Sequence, residues 1–181
     1  MPTLALPRLA LKGSDFFTHY ALPFSMLIPS AVAIYCVLTH KYVSSAVPAM
    51  CIMCAVTLAV SVFFAWYQTR ALRFRLFQTS SNAHENCLKV LHAMHKEHWR
   101  VHYTHADSQI VATVRGFPVT WGERVEVRFH GSDVFVNSIC DPGTFFAVFS
   151  WGRNRENMNY VGDAVMTSNQ SLQPTAGRSD D

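Results

Sequence analysis

Two stretches of this chain contain no Asp, Glu, Lys or Arg: 25 residues from Phe16 to His40 and 28 from Tyr42 to Thr69, separated only by Lys41. Within them, residues 21–39 and 46–67 are long enough, at ~1.5 Å per helical residue, to match the ~30 Å hydrocarbon layer of a bilayer. In such a layer an unsatisfied backbone amide or carbonyl costs several kcal/mol, so a spanning segment must be helical or part of a closed barrel. The feature therefore predicts a transmembrane hairpin over 20–67 with helices at about 21–39 and 46–67. Pro23, Pro29 and Pro48 are compatible with it, the first and third lying near helix starts. Tyr20, Tyr42, Trp66 and Tyr67 fall where aromatic side chains anchor at the interface.

A secretory signal would have a shorter apolar core next to a basic start and a small-residue cleavage site. Here a polar head over 1–19 precedes the first apolar stretch, which leads directly into a second, so the segment reads as a retained span. Basic residues near the spans set the orientation. Arg8 and Lys12 stand before the first, Lys41 alone lies between them, and Arg70, Arg73 and Arg75 follow the second. Both termini are expected in the cytoplasm.

A length of 181 residues leaves room for one soluble domain of ordinary size, placed at 70–166. That region carries 11 Lys or Arg against 9 Asp or Glu, and three of the basic residues are Arg70, Arg73 and Arg75 beside the membrane. The remainder is close to neutral, which argues against a nucleic-acid surface. Five cysteines make no disulfide framework: Cys36, Cys51 and Cys54 lie in the spans, and Cys87 and Cys140 are isolated. The Cys51-Ile-Met-Cys54 spacing is that of a redox motif but lacks the βαβ setting such a motif needs. Packing of a helix pair is the better reading.

Alternation marks the strands of the domain. Leu72, Phe74 and Leu76 alternate with Arg73, Arg75 and Phe77, although a helical continuation of the second span competes there. Asn82 and Glu85 resemble a capping box opening a helix whose Ala83, Cys87, Val90, Leu91 and Met94 share a face. Strands follow around Trp99–Thr104, Ile110–Arg115, Val125–His130 and Val134–Ile139, the last two joined by a tight His130-Gly131-Ser132-Asp133 reversal. Met158, Val161 and Val165 suggest a final helix. The expected order is β-α-β-β-β-β-α, an α+β domain with an antiparallel sheet covered on one face by two helices. From 167 to 181 the composition cannot sustain a core, and a disordered tail is expected.

Six of nine histidines lie between His84 and His105, but no His pair at helical spacing encloses a carboxylate and no thiol spacing suits zinc. No metal, cofactor or catalytic residue is therefore expected. More distinctive are three short patterns: Trp121-Gly122-Glu123, Asn137-Ser138-Ile139-Cys140-Asp141-Pro142, and Ser150-Trp151-Gly152-Arg153-Asn154-Arg155-Glu156-Asn157. They serve turns and helix caps in the plain reading. In the functional reading Arg153 or Arg155, with Asn154 and Asn157, offers an anion site at a helix N-terminus.

In this order the three patterns resemble those of an uncharacterised group of small bacterial membrane-anchored proteins with W-G-E-like, S-x-x-x-P-like and G-x-N-x-x-N-like segments. The resemblance covers roughly Leu72 to Val165 and implies no reaction. Asn169-Gln170-Ser171-Leu172-Gln173-Pro174-Thr175-Ala176 is similar to tails encoded at the ends of integron gene cassettes, which implies a bacterial inner membrane. The expected function is a non-catalytic membrane-anchored module presenting the domain for contact with another membrane or cytoplasmic protein, or with the lipid surface. Phe145, Phe146, Phe149 and Trp151, together with Arg70, Arg73 and Arg75, are the features that could serve it. A small-ligand or lipid-binding domain, and an enzyme with an unrecognised site, are the alternatives.

Overall fold

The computed structural model describes residues 7–39, 44–105, 107–114, 122–143 and 152–167. The connection at 40–43, Trp121, the aromatic stretch from Phe145 to Trp151 and the tail from Ser168 lie outside the described residues. A short helix α1 (Ser14–His19) leads into α2 (Ala21–Leu38), and a turn of 3-10 helix precedes α3 (Val47–Ala71). Both α2 and α3 are long and apolar enough to cross a membrane. They pair antiparallel through polar contacts. Ser61 Oγ donates to the Pro23 carbonyl at 2.7 Å, Ser30 and Thr57 share a hydrogen bond, and the Cys54 thiol reaches the Ser30 carbonyl at 3.8 Å. Cys54 thus serves helix pairing, and Pro48 stands in the first turn of α3, where a missing N–H costs nothing.

The helix does not give way to a strand at Arg70. It continues to Ala71, turns at Leu72, and only then enters β1 (Arg75–Gln78). Leu72 and Phe74 alternate as a strand would, but they are used differently. The backbone around Arg73 bridges that of Arg8: Leu9 N–H donates to the Leu72 carbonyl at 2.8 Å, and Phe74 N–H to the Pro7 carbonyl at 3.2 Å. Leu9, Leu72, Phe74 and Ile139 form a small buried cluster, with Leu11, Tyr20 and Phe135 against it. The residues before the first long helix are thus partly structural, because Leu9 and Leu11 have an apolar surface to cover. Asp15 adds an ion pair to Arg124 at 3.0 Å.

Beyond β1 come α4 (Ala83–Lys96), β2 (Arg100–His105), β3 (Gln109–Val114), β4 (Glu123–His130), β5 (Asp133–Cys140) and α5 (Arg153–Met166). The sheet is antiparallel throughout, in spatial order β1-β5-β4-β3-β2. Asn82 caps α4, its side chain accepting from the Glu85 N–H at 2.9 Å. The helix stops at Lys96. His98 takes a left-handed conformation with φ 56°, and Trp99 N–H bonds back to the Met94 carbonyl, so His98 ends the helix instead of extending its apolar face.

Strand alternation decides the core. Val125, Val127 and Phe129 of β4, with Val134 and Val136 of β5 and Ile110 and Ala112 of β3, meet Cys87, Val90 and Met94 of α4 and Val161 and Val165 of α5. Helix α5 approaches the sheet closely at Gly162, where a Cβ would come within 2.2 Å of the Phe77 ring. The opposite face of the sheet is mixed: Glu126 is buried there, bonded to Arg128 and to the Gln109 amide.

Candidate functional site

The register of β4 and β5 brings the three short patterns together. Glu123 lies opposite Cys140 and Val125 opposite Ser138, so Glu123, Ser138 and Cys140 belong to the helix-facing side, at its end. Helix α5 begins above them. Ser138 Oγ donates to Asn154 Oδ1 at 3.1 Å and accepts from Asn157 Nδ2 at 3.3 Å. Asn154 and Asn157 are one helical turn apart, which is why both reach a single hydroxyl. Ser138 and Asn157 are buried, and Glu123 is only 1% exposed.

This arrangement has a definite chemistry. The partners of Ser138 are two amides, neither of which can take up its proton. Burial, reinforced by the nearby Glu123 carboxylate, pushes the Cys140 thiol up to about 11, so at neutral pH it is a protonated packing group and not a thiolate nucleophile. The cluster acts as a rivet. It fixes the start of α5 on the last strand, and Gly152, at φ 88°, supplies the left-handed turn by which the chain enters the helix.

In front of the rivet is an open cleft of about 530 Å³ between the end of α3 and the start of α5. It is lined by Trp66, Tyr67, Arg70 and Ala71 of α3, by Arg73, by Ser138 at its floor, and by Gly152, Asn154, Arg155 and Met158. Of the residues singled out from sequence, Asn154 and Arg155 line this cleft. Asn157 is buried behind it on Ser138, and Arg153 is half-buried at the first position of α5, outside the lining. The arginine that α5 turns into the cleft is Arg155. It shares the lining with Arg70 and Arg73, whose place beside the second apolar helix was legible in sequence while their nearness to α5 was not. Arg70 stacks over Trp66 at 4.8 Å from the ring centroid.

A larger groove of about 850 Å³ on α3 has only Ala55, Leu58, Ala59, Val62, Phe63 and Trp66 for walls. Apart from the Trp66 indole it offers no polar side chain that could orient a ligand. The histidines form no comparable centre: His84 pairs with Asp107 at 2.9 Å on the surface, and His105 with Ser108 at 2.8 Å. Among the described residues no three His, Cys, Asp or Glu side chains gather as a metal site would require.

No protein-family model, curated protein or solved structure matches the chain.

Proposed function

We propose that this protein is a membrane-anchored, non-catalytic module: a two-span hairpin in a bacterial inner membrane that holds its α+β domain against the cytoplasmic surface, for contact with lipid or with a neighbouring protein. The observation that carries the reading is how the domain is joined to the hairpin. Asn137 of β5 donates at 2.9 Å to both the Ala71 and the Arg73 carbonyls, capping the end of α3. On the other side the Pro7–Leu9 segment bonds to Leu72 and Phe74, so the chain entering the hairpin and the chain leaving it are tied to one another. A domain fastened at both ends of a hairpin stays at the bilayer surface and does not swing on a tether. The arginine-lined cleft at that same place favours the lipid-binding alternative over a pure protein contact.

Two measurements test this reading. After expression in a bacterium, the full chain should stay in the pellet through a carbonate wash; release as soluble, unaggregated protein refutes the hairpin. A phosphatase fused after Met166 should be inactive and one inserted near Ser44 active. The reverse pattern places the domain on the far side of the membrane.

A further inference from the structure

We propose that the cleft between α3 and α5 binds the phosphate of an acidic phospholipid headgroup. The assignment rests on the membrane-anchored reading and gives the domain its ligand.

Three arginines from three segments line this cleft: Arg70 from the last turn of α3, Arg73 from the bridge before β1 and Arg155 from the first turn of α5. The lining contains no Asp or Glu, and among the described residues none of the three arginines makes an ion pair. The rest of the domain is near neutral, so this is a local accumulation of charge and not part of a general basic surface. Like charges brought together repel, and a bound anion relieves that repulsion through charge-assisted hydrogen bonds. Guanidinium forks suit phosphate oxygens in particular.

The floor adds neutral donors. Asn154 has its Oδ1 taken by Ser138, which leaves the amide nitrogen to donate into the cleft. At Gly152 no side chain caps the start of α5.

The location favours a lipid over a free anion. Trp66 and Tyr67, in the same lining, are residues of the kind that settle at headgroup depth, and Ala71 and Met158 provide apolar wall beside them. Arg70 lies in the last turn of α3, at the end of the proposed span, so its charge stays at the surface where acidic lipids are concentrated.

The test uses the full chain in phosphatidylcholine nanodiscs with and without phosphatidic acid, with bound lipid counted by native mass spectrometry. One phosphatidic acid should be retained in preference to phosphatidylcholine. Arg155→Gln and Arg70→Gln should each weaken that retention by roughly tenfold or more, the loss expected for one ionic hydrogen bond. Lys12→Gln removes the same charge outside the cleft and should change it by less than about fivefold. Unchanged melting in pure phosphatidylcholine verifies that the variants are folded. Equal losses in all three variants, or neither a preference for phosphatidic acid nor binding of glycerol 3-phosphate, overturns the site. Binding of soluble glycerol 3-phosphate through Arg70 and Arg155, with no preference for phosphatidic acid, overturns the lipid source. Each of these failures leaves the protein in the carbonate pellet, whereas failure of the membrane-anchored reading releases it.

Discussion

In α2 and α3 the buried residues are Pro23, Ser30, Ala33, Ser61 and Gln68, while Phe24, Ile28, Val32, Ile34, Leu38, Ile52, Val56 and Val62 point outward. In the sheet domain the sorting is reversed: Val90, Met94, Ile110, Val127, Val136 and Val161 are buried, and most exposed positions are polar or charged. One chain thus follows two rules, the sorting expected of two different solvents. Where the surroundings are as apolar as leucine, burying leucine gains little, and helices associate through small residues and hydrogen bonds. Where the surroundings are water, apolar burial dominates.

The sharpest way to break this comparison is to truncate the same side chain in both regions. Ile110→Ala removes a fully buried side chain from an inner strand of the sheet and should cost about 2–5 kcal/mol in unfolding free energy. Ile28 is 62% exposed, so Ile28→Ala in lipid should fall within ~0.5 kcal/mol of the parent. Comparable losses at both sites, measured by denaturant unfolding in the same bilayer mimic, would mean that α2 packs against protein on its outer face.

Much of this division was legible in the sequence, because it follows from runs and periods. Absence of charge located the two long helices, period two located β4 and β5 to within two residues, and Asn82 located the start of α4. Joints were less legible. Nothing local distinguishes Leu72 and Phe74 as members of a strand from Leu72 and Phe74 as cover for Leu9, since both uses need an apolar side chain on alternate residues. The signal that could have exposed the second use is the pair Leu9 and Leu11, at the same spacing in a segment otherwise read as polar. The cleft was harder still. It depends on where α5 ends up relative to α3, and one residue of helical phase, ~100°, separates Asn154 in the lining from Arg153 outside it.

The joint between the two regions gives the next effect. Asn137 is 1% exposed, and its amide holds the carbonyls at the end of α3. Asn137→Ala leaves those carbonyls without their donor, for a loss of about 1–3 kcal/mol, and proteolysis should quicken between Ala71 and Arg75. Loss of stability without faster cleavage there would show that Asn137 supports the sheet alone.

The rivet under α5 makes the domain sensitive to alkali in a predictable direction. An acid whose pKa is raised by folding stabilises the fold below its unfolded pKa and loses that contribution as pH rises. For Cys140 the loss runs from pH 9.0, where the unfolded thiol ionises, to about 11. Cys140 is half-buried, so after solvent screening the effect is on the order of 1 kcal/mol. Denaturation midpoints of the parent and of Cys140→Ala, followed across that window, should converge as pH rises; parallel curves would place the thiol in an environment no different from the unfolded chain.

The smallest effect is the one that separates the two rules most directly. Ser61 Oγ bonds to the Pro23 carbonyl at 2.7 Å across the α2–α3 contact, and Ser61 is 5% exposed. In water-soluble domains a buried hydroxyl that loses its partner is expensive, but here Ser61→Ala removes the hydroxyl itself and leaves a small side chain that still allows close helix approach. Interhelical hydrogen bonds inside membranes average ~0.6 kcal/mol, because the separated helices also find partners for their polar groups. Ser61→Ala should therefore cost less than either Ile110→Ala or Asn137→Ala, whereas Ser61→Leu, which adds bulk at the contact, should splay the hairpin and cost ~1–3 kcal/mol. Energy transfer between labels at the two ends of α2 and α3 would measure the splaying. If Ser61→Ala proved as costly as Ile110→Ala, close packing and size would no longer explain the hairpin, and its polar interior would have to be credited with holding the helices together.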